Sequence, residues 1–67
     1  MQVAVKGLTA REAEVLGHVA EGRFNQDIGD RLGISARSVK KHLQRIYTKL
    51  AVTSRMAAVL SMVRHRS

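Results

Sequence analysis

Residues 25–44 read NQDIGDRLGISARSVKKHLQ, a twenty-residue pattern typical of a helix-turn-helix. Two helices that cross at a steep angle need a small residue where their backbones meet, and Gly29 supplies it. The short turn needs a residue that tolerates positive φ, and Gly33 directly follows Leu32 as a helix-ending glycine should. Apolar residues that could hold the pair to a core are Ile28, Leu32, Ile34 and Val39. These positions in one register favour a helix-turn-helix over a generic helical hairpin.

The charges are distributed unevenly along the chain. Twelve Lys and Arg against five Asp and Glu give a formal net charge of +7 over 67 residues. All five acids precede residue 31, whereas residues 31–67 hold nine Lys and Arg and no acid. A field of one sign attracts polyanions and speeds their encounter. The alternative is a basic face that serves solubility alone, but such surfaces usually mix both signs.

Length and composition indicate a single domain. A chain of this size buries roughly 60% of its unfolded surface, so we expect marginal stability and a contribution from a partner subunit or second domain. Without Cys there is neither a disulfide nor a thiolate metal site. The chain has no apolar run of bilayer-spanning length, and its first residues lack the order of a signal peptide. The expected location is therefore the cytoplasm.

Caps and apolar periodicity predict an all-α, compact four-helix domain over residues 8–67, after an irregular lead-in or linker remnant over residues 1–7. Thr9 and Glu12 have the spacing of a capping box, and Gly22 is placed to end the helix that they begin. The helices are expected over residues 9–21, 25–32 and 36–50 and after Ser54, with Ser35 as the N-cap of the third.

The third helix is predicted to have two different faces. Val39, Leu43, Ile46 and Leu50 have the spacing of a buried stripe, and another stripe holds Arg37, Lys41, Arg45 and Lys49. Because an α-helix fits the major groove of B-DNA, the N-terminal half of this helix is the candidate reader of base edges. The predicted base-reading residues are Arg37, Lys40, Lys41 and Gln44. The predicted contacts to the DNA backbone are Arg45 and Lys49, with Asn25, Gln26, Ser35 and Ser38 at helix starts.

The fourth predicted helix is apolar nearly all round. One face, with Ala58, Val59 and Met62, is expected to join the core, which leaves Met56, Leu60 and Val63 as a second apolar stripe. A two-fold dimer through this helix would cover the stripe and set two recognition helices about one DNA turn apart. The alternatives are that a missing regulatory domain covers it or that the faces are assigned wrongly.

Catalysis is not indicated. His18, His42 and His65 are too scattered for a ligand motif, and no nucleophile elbow, phosphate loop or metal-binding spacing occurs in the sequence. We therefore expect no enzyme activity, no cofactor and no metal. His42 lies between the two faces of the third helix, which favours a packing role with one ring nitrogen directed at a phosphate.

Motifs spread over about residues 8–64 resemble the LuxR-type domain, also called NarL/FixJ or GerE-type. The matching residues are Thr9-Ala10-Arg11-Glu12, Glu14-Val15-Leu16, Asn25, Ile28, Ile34-Ser35, Ser38-Val39-Lys40, His42, Ile46, Lys49-Leu50, Val52 and Ser54-Arg55. The resemblance implies a DNA-binding domain of a bacterial transcription regulator, with the third helix in the major groove and the fourth at a dimer interface. It implies base reading by Lys40, Lys41 and Gln44, and backbone contacts or supports from Ser38, His42, Arg45 and Lys49. Implied partners are duplex DNA, a second copy, and RNA polymerase or an upstream regulatory domain.

Three residues depart from that family's pattern. Phe24 replaces the common Ser or Thr, so we expect Asn25 to take over the cap and shift the start of the second helix by one residue. Gly29 replaces Ala, which costs helix propensity and leaves the packing logic unchanged. Ala51 replaces Gly and is expected to resist a left-handed backbone, which predicts a different turn into the fourth helix.

Three other functions stay open at this point. A sigma-factor promoter-reading domain shares the first cap and the helix pair, but usually ends after the recognition helix. A protein-binding anti-activator of the same fold is disfavoured by the intact basic stripe from Arg37 to Lys49. A cationic helix at a membrane surface is disfavoured because the fold itself needs the apolar face of the basic helix.

Overall fold

Four helices make up the fold. The computed structural model describes residues 7–66, with side chains to residue 64; most of the expected lead-in, residues 1–6, and Ser67 lie outside the described residues. The helices are α1 (Ala10–Ala20), α2 (Asn25–Leu32), α3 (Ala36–Leu50) and α4 (Arg55–Arg66), and residues 7–66 contain no strand. The predicted all-α, four-helix class is confirmed.

Local capping determines where α1 and α3 begin. The Thr9 hydroxyl accepts a hydrogen bond from Glu12 N at 3.1 Å, and the Glu12 carboxylate accepts one from Thr9 N at 2.9 Å. This reciprocal pair is the predicted capping box. At the start of α3, the Ser35 hydroxyl accepts a hydrogen bond from Ser38 N at 3.0 Å, which confirms Ser35 as the N-cap.

The start of α2 differs from the expectation that Asn25 caps the helix and shifts it by one residue. Phe24 is the N-cap residue, no side chain caps α2, and the helix begins at Asn25. The Asn25 side-chain oxygen accepts a hydrogen bond from Arg55 Nη1 at 2.8 Å instead. A bond from a charged donor is roughly twice as strong as one between neutral groups, which explains this choice of partner.

The turn between α2 and α3 depends on two glycines. Gly33 is left-handed, with φ 71°, and the turn is closed by a hydrogen bond from Ile34 N to Gly29 O at 2.9 Å. A Cβ added at Gly29 would lie 2.5 Å from the Ile34 carbonyl oxygen. The predicted close approach is confirmed, and it is tighter than expected: an alanine here would force the backbone to move.

The turn into α4 corrects the expectation for Ala51. This alanine does adopt the left-handed backbone, with φ 56° and ψ 44°. The conformation costs an L-residue about 1–2 kcal/mol. Two hydrogen bonds oppose that cost, from Ala51 N to Thr48 O at 3.2 Å and from Val52 N to Tyr47 O at 2.9 Å. Val52 also packs against the core, so tertiary contacts override the local preference of alanine.

The core lies between the four helices, where α1 and α3 each pack against the other three. Its buried cluster comprises Val15, Leu16, Val19, Ile28, Val39, Leu43, Ile46, Ala58 and Met62. The buried residues of α3 and α4 are those predicted to face inward, and Val59 is partly buried beside them. Met56, Leu60 and Val63 are 68%, 53% and 53% exposed, so the two faces of α4 were assigned correctly. None of the helices in the described part of the chain is long and apolar enough to cross a membrane.

We expect Gly29→Ala to destabilise the domain although alanine is the better helix former. The gain in helix propensity is about 1 kcal/mol, whereas overpacking against a backbone typically costs about 1–3 kcal/mol. Chemical denaturation should therefore show a net loss, on the order of 1 kcal/mol. Gln26→Ala, at an exposed position of the same helix, is the control and should change stability by less than about 0.5 kcal/mol. An unchanged or more stable Gly29→Ala variant would show that the approach of α2 to α3 is not tight.

Candidate nucleic-acid interface

One side of α3 is exposed and polar. We call it the α3 polar face and define it by six exposed residues, Arg37, Lys40, Lys41, Gln44, Arg45 and Thr48. Lys49, which is also exposed, is bound to Glu12 and is described separately below. Buried Val39, Leu43 and Ile46 form the opposite side of the helix. All four predicted base-reading residues are thus exposed together. Sequence analysis missed Thr48, although its spacing of four residues from Gln44 could have revealed it; its hydroxyl donates a hydrogen bond to Gln44 O at 3.1 Å.

The cations of the α3 polar face have no acidic partner. Arg37, Lys40, Lys41 and Arg45 form no ion pair among residues 7–64. Each of the five acids is bound elsewhere: Glu12 to Lys49, Glu14 to Arg11, Glu21 to Arg23, Asp27 to Arg23 and Arg31, and Asp30 to Gln26. The positive charge of the face is therefore not neutralised within the described residues, and it remains available to an anion.

Lys49 has an intramolecular partner that sequence analysis did not foresee. Its Nζ lies 2.7 Å from Glu12 Oε1, and the two side chains are 38% and 4% exposed. Burial alone would raise the pKa of Glu12, but hydrogen bonds from Lys49 and Thr9 outweigh it and hold this pKa below its usual value. The same carboxylate thus closes the cap of α1 and binds the last turn of α3. Lys49 therefore ties α3 to α1.

The polar residues at helix starts are also held by neighbours. Gln26 donates a hydrogen bond to Asp30 at 3.2 Å, and the Ser35 hydroxyl donates one to the Ser38 hydroxyl at 3.1 Å. His42 is half-buried, at the predicted border between the faces of α3. The hydrogen bonds of Gln26, Ser35 and Ser38 restrict the conformations in which these side chains could contact a ligand.

Arg55 is a further residue to which sequence analysis gave no role. Its Nη1 donates a hydrogen bond to the Asn25 side chain, and its Nη2 donates one to the Arg23 backbone carbonyl. These acceptors are 30 and 32 residues away in sequence. The motif Ser54-Arg55 marked the position, but only the fold brings its partners together.

Residues 6–62 match the family described as bacterial regulatory proteins, luxR family. The chain belongs to the LuxR family. Its helix-turn-helix is accordingly a DNA-binding domain of the transcription-regulator type, and the family is not one of enzymes. Among the described residues, no group of three or more His, Cys, Asp or Glu could hold a metal ion.

Individual relatives give the same assignment. Over 82% of this chain, the sequence is 47% identical to the probable transcriptional regulatory protein SgaR of Hyphomicrobium methylovorum. Over 88% of this chain, it is 44% identical to the probable transcriptional regulatory protein NarL of Mycobacterium tuberculosis. It spans only 26% and 27% of those two proteins. A crystal structure of the anti-activator RapF with the DNA-binding domain of the response regulator ComA matches with a TM-score of 0.80 and 45% identity. That match covers 82% of this chain and 95% of the matched chain in the crystal structure.

We expect Glu12→Gln to lower stability at neutral pH by about 1.5–3 kcal/mol, the range for a hydrogen bond to a charged group. Glutamine can still close the capping box but loses the ionic bond to Lys49. Because the folded-state pKa of Glu12 is lowered, its contribution is complete above the unfolded-state pKa of about 4.3. It disappears as the pH falls through the lower folded-state value.

Denaturation of both proteins at about pH 7 and about pH 2 tests this, since the difference should disappear in acid. Glu14→Gln is the matched control, because its pair with Arg11 is long, at 3.6 Å, and about half exposed. The control should change stability by less than about 0.5 kcal/mol. If both variants behave alike, the Glu12–Lys49 bond does not contribute measurably.

Proposed function

We propose that α3 enters the major groove of duplex DNA and reads base edges through Arg37, Lys40, Lys41 and Gln44. The observation that carries this is the set of exposed cations without acidic partners on α3 of a LuxR-family domain. Arg and Lys suit O6 and N7 of guanine, and Gln suits N7 and N6 of adenine. Since the core holds the opposite side of α3, the helix can present this face to DNA without a change of fold.

The contacts to phosphate would surround the base-reading residues. We assign them to Arg45 and Lys49 on α3, His42 beside them, and Asn25, Gln26, Ser35 and Ser38 at or near helix starts. The bond to Glu12 does not exclude Lys49, because an ammonium group has three donors. Asn25 likewise keeps its NH₂ donors while its oxygen is bound by Arg55. Neutralised phosphates would supply much of the affinity and make it dependent on salt.

Two copies would meet through α4, by way of its exposed stripe of Met56, Leu60 and Val63. Burying one large apolar side chain contributes about 1.5–3 kcal/mol, so a stripe of three gives a dimer a substantial driving force. A two-fold dimer would present two α3 helices to successive major grooves of a two-fold site. The protein would then act as a regulator of transcription on the bacterial chromosome, in the cytoplasm.

A protein partner is a second candidate for the exposed surfaces, because the ComA domain, which has the same fold, was crystallised with the anti-activator RapF. A chain that has lost DNA binding would have no use for the unpaired cations of the α3 polar face. DNA is therefore the ligand that this face favours. An upstream regulatory domain or RNA polymerase would engage other parts of the surface.

Selection from a random duplex pool, followed by titration of the enriched site at several salt concentrations, tests the DNA proposal. We expect a two-fold site and steep salt dependence. Lys40→Glu and Lys41→Glu should each weaken binding at least about tenfold and relax the preference at one base position, because each would lose a base contact. Arg11→Glu is the control: it makes the same change of charge in the first turn of α1, where an acid is tolerated.

Equal losses in all three variants would mean that net charge alone controls binding. No enrichment of any sequence by the unmodified chain would contradict sequence-specific reading.

Leu60→Asp tests the dimer. We expect it to abolish self-association in analytical ultracentrifugation and cooperative binding to the two-fold site, while a single half-site is bound as before. Buried aspartates at a two-fold contact would face each other without water or a partner charge. Thr53→Asp, an exposed residue in the turn before α4, is the control and should leave both properties intact. If Leu60→Asp changes neither property, the proposed dimer through α4 is wrong.

A further inference from the structure

Arg55 forms hydrogen bonds with the residues on either side of the N-cap of α2. Its guanidinium donates to the Asn25 side-chain oxygen at 2.8 Å and to the backbone carbonyl of Arg23, and these two residues flank the N-cap Phe24. Arg55 is the first residue of α4 and is half-buried. A planar guanidinium suits this double contact, since it presents several donors in one fixed fork.

The contact fixes which way the Asn25 amide faces. A guanidinium can only donate hydrogen bonds, so the amide oxygen must face Arg55 and the NH₂ group must face away. No acceptor for that NH₂ group occurs among the described residues. The adjoining first turn of α2 also has no side-chain cap. Asn25 is thereby held as an oriented hydrogen-bond donor on the element that precedes the recognition helix.

We infer that Arg55 is a positioning residue for DNA binding, which aims the Asn25 NH₂ group at a phosphate of the backbone. The inference rests on the proposed function. Charge strengthens the arrangement, because no carboxylate forms an ion pair with Arg55 within residues 7–64. Its full positive charge polarises the amide, and a chain from guanidinium through amide to phosphate is reinforced along its length.

The position of Arg55 in the chain gives the contact a second consequence. Met56, the next residue, begins the exposed stripe of α4. One helix therefore holds the start of α2 with its first residue and offers the proposed dimer surface with the residues that follow. α4 therefore orients Asn25 toward DNA, and the same helix would determine the spacing between the two copies.

Binding of the selected duplex by Arg55→Lys, Asn25→Ala and the double variant tests the inference. Lysine keeps the charge but cannot reproduce the fork. We expect each single variant to weaken binding by about tenfold, the effect of one hydrogen bond to a charged group. The salt dependence should not change, because a neutral amide releases no counterion. The double variant should bind no more weakly than either single one, since both remove the same contact.

Controls separate this role from others. Arg11→Lys should change nothing, because Arg11 makes only an exposed ion pair on α1. The free energy of unfolding of each variant, measured by denaturation, shows whether the chains are folded at the titration temperature. Asn25→Ala leaves Arg55 in place, so it tests the phosphate contact even if Arg55→Lys is too unstable to use.

The remaining outcomes overturn the inference in distinguishable ways. Losses that add in the double variant would mean that Arg55 and Asn25 act separately. Full affinity of Arg55→Lys would mean that its fork does not position Asn25. Full affinity of Asn25→Ala, with binding lost in Lys41→Glu, would reject the positioning role and leave the proposed function intact. Full affinity of Lys41→Glu as well would reject the proposed function itself.

Discussion

The close approach of α2 and α3 at Gly29 is the constraint on which the rest of the structure depends. A Cβ added at Gly29 would lie only 2.5 Å from the Ile34 carbonyl oxygen, so the backbone of α2 contacts that of the turn and of the first residue of α3 and leaves no space for a side chain. A contact between backbones cannot be repacked by changing a rotamer, so it fixes how α3 leaves the turn. Val39, Leu43 and Ile46 then point into the core, and the charged positions between them must face outward.

The acidic residues and the cations of the α3 polar face, which are separated along the chain, are also separated in the folded domain. The acids precede residue 31, and each has its partner within α1, α2 and the turn between them or, for Glu12, at the last turn of α3. Four cations of the α3 polar face are left without a partner among residues 7–64. Repulsion between these exposed charges is weak in water, so they destabilise the fold little. Each cation interacts more favourably with a phosphate than with a distant carboxylate.

Features that depend on neighbours in sequence could be predicted, and features that depend on distant partners could not. The capping box, the Ser35 cap, the helix bounds and the two faces of α3 follow from spacing alone. The bond from Lys49 to Glu12 joins residues 37 apart, and that from Arg55 to Asn25 joins residues 30 apart. Ala51 was misjudged for the same reason: the preference of alanine is local, whereas the packing of Val52 that outweighs it is not.

The fourth helix shows how a small domain can connect stability with recognition. Ala58 and Met62 complete the core shared by the four helices, so removing α4 would expose apolar surface that a chain of 67 residues can hardly lose. The same helix holds the start of α2 through Arg55 and leaves three large apolar side chains in water. If a second copy covers them, pairing of the copies stabilises the helix that orients Asn25, and dimerisation and DNA affinity become thermodynamically linked.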